Sequence, residues 1–139
     1  MDIIFLANPN INRGSYRIWI NDLNYFIKEY TELNVIIIDI LKNSINNLGE
    51  YIKSNSVFII DKVLICDDII LKIKNLGKKI YLINPPLQDN LVYKYVDGFI
   101  VGSIEERDSL LKYKSKILIF PLIERQFYNS KNLKSYKLD

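Results

Sequence analysis

Residues Gly98-Phe99-Ile100-Val101-Gly102-Ser103-Ile104-Glu105-Glu106 carry a strand, a turn and the start of a helix in immediate succession. Phe99, Ile100 and Val101 are apolar one after another with no polar alternation, which is how a strand reads when both of its faces are buried. Ser103 followed by Glu106 is a capping box, in which serine and glutamate satisfy the amide groups that the first helical turn leaves without partners. A helix is therefore predicted over 103–113. A doubly buried strand running straight into a capped helix is the building unit of a parallel α/β sheet.

The same unit recurs in both directions along the chain. Apolar, β-branched runs stand at Ile3–Ala7, Val35–Ile40, Val57–Ile60, Ile80–Ile83, Gly98–Val101 and Ile117–Phe120. Segments of helical length separate them, at 45–53, 64–76, 88–95 and 103–113, and most clearly at 15–30. There Tyr16, Trp19, Ile20, Leu23, Phe26, Ile27 and Tyr30 fall on one face of a helix, with Asn21, Asp22, Asn24, Lys28 and Glu29 on the other. Gly77 is placed to end the helix before it. The fold expected is α/β: a doubly wound, Rossmann-like parallel sheet of about six strands with helices on both faces. A strand order of 3-2-1-4-5-6 is expected ahead of the flavodoxin-like order 2-1-3-4-5. Residues 1–123 form this domain, and 124–139, where the periodicity is lost, read as a basic, tyrosine-bearing tail or interdomain linker.

Composition narrows the chemistry. The chain has 139 residues, 49% hydrophobic and 25% charged, with 19 basic and 16 acidic side chains for a net charge of +3. That is one globular domain without the concentrated basic face of a nucleic-acid binder. There is no histidine and a single cysteine, Cys66. A Ser-His-Asp triad, a histidine phosphocarrier and a multi-thiolate metal site are therefore excluded within the chain. Acid–base work falls to Asp, Glu, Lys or Tyr. Cys66 reads as a small buried hydrophobe, and the adjacent Asp67 and Asp68 as a solvated or capping pair. No run approaches the length of a membrane span and nothing resembles a leader, so the expected location is cytoplasmic, with a peripheral contact at the inner membrane face as a further expectation.

In an open parallel sheet, ligands bind beyond the carboxyl ends of the strands where the order reverses. Under the expected order this brings together the loops 8–14 and 84–89. In the first, Gly14 and Ser15 open the long helix, flanked by Arg13 and Arg17. Free amides and two guanidinium groups suit a phosphate or sugar phosphate, although a capped helix start with solvated arginines would look the same. In the second, Asn84-Pro85-Pro86 is stiffened by its prolines, and Asp89 is the best-placed carboxylate for a general base, with Asp61 second. Asp39 and Asp61 close their strands where a ribose-binding or catalytic acid often sits. Lys112, Lys114 and Lys116 alternate with Tyr113 and Ser115; the pattern reads first as a solvated face, with a lean on an anionic membrane surface as the alternative.

The stretch Asn12-Arg13-Gly14-Ser15-Tyr16-Arg17-Ile18 resembles the first loop of GT-B glycosyltransferases, especially the glycosyltransferase family 4 type. So do Tyr95–Leu110, Lys116–Glu124 and Lys78–Leu82. The resemblance implies an N-terminal, acceptor-side domain of an enzyme that moves a sugar from a nucleotide-sugar to a glycan or lipid-linked acceptor, in polysaccharide biosynthesis. It implies no metal and no cofactor. It also implies a C-terminal donor-binding domain or partner chain, without which this chain is expected to be inactive. By resemblance Gly14 approaches the donor phosphates with Arg17 as a charge partner. Asn84 and Ser103 line the same cleft, and Asp89 takes the place of the catalytic group. Many relatives carry acidic residues where Asn84-Pro85-Pro86 stands here. The competing expectation is a non-catalytic Rossmann-like module that binds a small anion or a protein.

Overall fold

The computed structural model describes residues 2–7, 18–39, 55–61 and 67–120. Six parallel strands form one sheet: β1 (Asp2–Ala7), β2 (Asn34–Asp39), β3 (Ser56–Asp61), β4 (Lys79–Ile83), β5 (Gly98–Val101) and β6 (Ile117–Ile119). Their positions match the six apolar runs to within a residue or two at each end. The fold is α/β and Rossmann-like.

The spatial order is β2-β1-β3-β4-β5-β6. This corrects the expected 3-2-1-4-5-6: β3 returns to lie beside β1 and does not continue outward past β2. Both orders obey right-handed crossover rules and both leave β1 inside the sheet, so the local sequence pattern did not separate them. Only the β1-to-β2 crossover runs toward one edge, and all later crossovers run toward the other. Right-handedness therefore sends the helix after β1 to one face and the later helices to the opposite face.

The packing follows that division. On one face a π-turn (Ile18–Asp22) leads directly into α1 (Leu23–Tyr30). Trp19, Ile20, Leu23 and Ile27 pack there against Phe5, Ala7, Val35, Ile59 and Ile83. On the other face lie α2 (Asp67–Asn75), a 3-10 segment (Leu91–Tyr95) and α3 (Ile104–Leu110). Ile70, Ile73, Val92, Tyr93 and Leu110 cover Ile4, Leu6, Phe58, Ile60, Leu82 and Phe99. Each fully buried side chain of this size contributes roughly 1.5–3 kcal/mol through removal from water. The strictly alternating assignment of strand residues to the two faces fixes the register, because a one-residue slip would exchange the faces.

The π-turn has a consequence for α1. The helical period puts Asp22 and Asn24 on the solvent side, yet both are buried. A wider turn at the entry of the helix rotates the residues around it off the 3.6-residue stripe. The Asn24 side-chain amide donates to the Ile20 carbonyl.

Two helix ends were legible in advance. At the start of α3, Ser103 Oγ accepts from the Glu106 amide at 3.2 Å and donates to the Glu106 carboxylate at 3.2 Å, so the two side chains hold one another. At the end of α2, Gly77 has φ +75°. Its amide donates to the Lys74 carbonyl at 2.9 Å, and the Lys78 amide to the Ile73 carbonyl at 3.4 Å, which together form a Schellman motif. A methyl at Gly77 would meet nothing within 4 Å, so Gly77→Ala isolates the backbone term. The variant is expected to lose about 1 kcal/mol, the cost of left-handed backbone for an L-residue. Urea unfolding measures it, and an unchanged midpoint would refute the assignment.

The strand β5 is pinned from its amino end by Asp97. Its carboxylate accepts the buried Ile80 amide at 2.8 Å while its own amide donates to the Ile80 carbonyl at 2.8 Å. An ion pair from Lys74 at 3.5 Å adds little, being half exposed. Among the described residues no helix is long and apolar enough to cross a membrane.

Candidate functional site at the carboxyl edge of the sheet

The observed order moves the switch point. With β1 flanked by β2 and β3, the chain leaves β1 toward one edge and leaves β3 toward the other, so the crevice opens outside Ala7 and Asp61. The expected meeting of the loops after the first and fourth strands rests on the other order; here β3 stands between β1 and β4, and loop 8–14 lies outside the described residues.

Register places the chemistry. Ala7 is aligned with Asp39 on one side, and Leu6 with Ile60 on the other, which brings Asp61 level with Ala7. Asp39, Ala7 and Asp61 thus form a row across three strands, with the two carboxylates two strand spacings, roughly 10 Å, apart. Alternation assigns all three to the face that carries α1, since Val35, Phe5 and Ile59 point there. Ala7, fully buried, is the small residue in the middle of the row. Asp61 is 4% exposed and Asp39 half-buried, and each has a polar or charged partner. A row of this kind can accept hydrogen bonds from the hydroxyl groups of a ligand, and a buried carboxylate can take a proton from one of them.

Arg13, Gly14, Ser15 and Arg17 lie outside the described residues, as do Cys66 and the helix expected over 45–53. The remaining site residues are held by rigid local structure. Asn84 follows β4 with φ +49°, a left-handed conformation that asparagine tolerates better than most side chains, and its amide donates to the Ile100 carbonyl at 2.8 Å. Pro85 is buried, and the Tyr93 hydroxyl donates to the Pro86 carbonyl. The two prolines are therefore clamped as well as stiff. Ser103 is half-buried at the carboxyl end of β5, engaged in capping α3.

Asp89 is placed differently from Asp39 and Asp61. It is exposed and lines a shallow depression of about 280 Å³ together with Asn90, Leu91, Tyr93, Lys94, Lys112 and Tyr113. Tyr93 and Tyr113 belong to the α2–α3 face, opposite the row at the switch point. Tyr93 is the residue that the sequence reading passed over. It is 1% exposed and packs edge-on against Phe99 and Tyr113 at 4.9 and 5.4 Å. Its signal is a tyrosine directly after Leu91 and Val92, seven residues after Pro86 of the Pro-Pro pair. Burial foremost, then the nearby Tyr113 and Asp89, push its hydroxyl up to about 12.

No protein-family model, curated protein or solved structure matches the chain.

Proposed function

We propose that this chain is the acceptor-side domain of a glycosyltransferase of the GT-B type, holding a glycan or lipid-linked acceptor while a separate donor-binding domain or partner chain presents a nucleotide-sugar. The observation that carries this reading is the row Asp39–Ala7–Asp61 at the carboxyl edge, on the face of the helix whose approach, in sequence, contains Arg13 and Arg17. Sugar hydroxyls are donors, and carboxylates are the acceptors that bind them most strongly. Asp61, buried and at the switch point, is the better placed of the carboxylates to accept the proton of the attacking hydroxyl as its oxygen bonds to the donor's anomeric carbon and the bond from that carbon to the nucleoside diphosphate breaks, the diphosphate leaving as the anion. The resembling run 95–110 adds support, since it contains a buried strand followed by a serine-capped helix.

The test is a titration of the chain with nucleotide-sugars and with glycan acceptors, followed by NMR or calorimetry. Weak acceptor binding is expected, reduced at least tenfold by Arg17→Ala and by Asp61→Asn and unchanged by Asp89→Asn. A tenfold loss corresponds to about 1.4 kcal/mol, within the range for one hydrogen bond to a charged group. Binding of inorganic phosphate at the same residues, with no acceptor bound at any concentration, would instead favour a non-catalytic anion-binding module.

A further inference from the structure

One surface, away from the carboxyl row, combines exposed apolar side chains with cations that form no ion pair among the described residues. Leu91 is 81% exposed, more than any other large hydrophobic residue described. It opens the 3-10 segment, in which residues three apart eclipse, so Lys94 lies on the same side. Lys112 and Tyr113, from the turn after α3, line the same depression as Leu91 and Lys94. Lys114 reaches across to the Lys94 carbonyl, donating at 3.3 Å. Leu111, beside Lys112, is 46% exposed, and Leu87, in the preceding loop, is 44% exposed.

Lys94 and Lys112 stand over tyrosine rings, 5.0 Å from the Tyr95 centroid and 5.1 Å from the Tyr113 centroid. Among the described residues neither they nor Lys114 form an ion pair. Asp89 is the acidic side chain lining this depression, against the two ammonium groups of Lys94 and Lys112, with Lys114 beside them through its bond to the Lys94 carbonyl. Leu91, Lys94, Lys112 and Tyr113 thus bring a largely exposed leucine, two lysines and an aromatic ring to one patch. That combination is the one by which proteins sit on charged lipid, with leucine entering the headgroup layer, aromatic rings at its boundary and lysines against the phosphates.

We infer that the surface formed by Leu91, Lys94, Lys112, Tyr113 and Lys114 docks on an anionic phospholipid bilayer. Charge complementarity selects lipid phosphate, and the protruding leucine selects a bilayer over a soluble anion. This inference is independent of the sugar-transfer reading, because it uses none of the residues of the carboxyl row.

Co-sedimentation of the full chain with vesicles tests it. Binding is expected to phosphatidylcholine vesicles containing phosphatidylglycerol, not to phosphatidylcholine alone, and to weaken as salt rises. Each lysine near an anionic surface is worth about fivefold, so Lys94→Gln with Lys112→Gln should weaken binding about 25-fold. Leu91→Ser should weaken it about tenfold with the charge unchanged. The pair Lys28→Gln and Lys79→Gln removes the same charge from exposed positions elsewhere and should cost much less. All of these positions are exposed, and far-ultraviolet circular dichroism checks that each variant is folded. Equal losses in the two double variants, or equal binding to neutral vesicles, would overturn the inference. Binding to soluble polyglutamate with no binding to vesicles would overturn it in favour of an acidic protein partner.

Discussion

Gly98→Ala is expected to be the most damaging single methyl that can be added to this sheet. Gly98 opens β5 and is paired with Tyr81 of β4. A Cβ built there lies far inside van der Waals contact with the Lys116 carbonyl oxygen, and 2.8 Å from the Tyr81 ring. A ring can turn aside, but a backbone carbonyl cannot without moving its strand, and this one also accepts the Phe99 amide at 3.1 Å. The methyl therefore displaces β6, an edge strand of three residues, and with it Phe120, whose ring sits 5.8 Å from Trp19 across the α1 face. Overpacking of this kind costs about 1–3 kcal/mol, and contact with backbone puts Gly98→Ala at the upper end. Roughly 10 °C of thermal stability should be lost. Adding Tyr81→Ala should restore only a small part of it, because the clash with Lys116 remains. A Gly98→Ala protein that melts with the wild type would show that β5 and β6 do not pair as described.

Glycine at 98 illustrates what the sequence exposes and what it withholds. The apolar run 98–101 identified the strand, and the cap at Ser103 and the stop at Gly77 were visible because capping chemistry is local: a serine or a glycine acts within three residues of itself. The need for glycine at 98 depends on a carbonyl eighteen positions away, so nothing near it announces the constraint. Strand order was hidden for the same reason. Val57–Ile60 is as apolar as a central strand must be, but Val35–Ile40 is too, and periodicity cannot say which lies beside β1. The expected meeting of loops 8–14 and 84–89 rests on an order that β3 interrupts. With the order corrected, Asp61 and Asp39, both singled out as strand-end acids, come into one row. The strand-end acids are legible in the sequence, but which of them share a row is not, because that depends on topology. The solvent-side positions of α1 failed for a local reason, since a π-turn leaves no mark in a pattern read at a fixed 3.6-residue period.

The tyrosine clamp gives the protein an expected limit in alkali. Tyr93 is buried, donates to the Pro86 carbonyl, and holds its proton up to about 12, where an unfolded tyrosine releases it near 10. Below pH 10 both states are protonated and the contribution of the residue is fully present. Between 10 and 12 the unfolded chain loses the proton while the folded one retains it, so stability falls as pH rises. The loss should approach 2–3 kcal/mol, from about 1.4 kcal/mol for each unit by which the folded value is raised. Tyr93→Phe removes the titration. At pH 8 that variant should be about 1 kcal/mol less stable than wild type, for the hydrogen bond it gives up. As pH rises to 12 the gap should close and then reverse, because only the wild type carries a buried hydroxyl that must stay protonated. Urea midpoints for both proteins at intervals from pH 8 to 12 measure the crossing. Lysines and exposed tyrosines titrate equally in the two proteins, so they shift both curves together. Parallel curves would mean that the Tyr93 hydroxyl reaches water, and that the Pro-Pro loop beside the candidate site is not clamped by it.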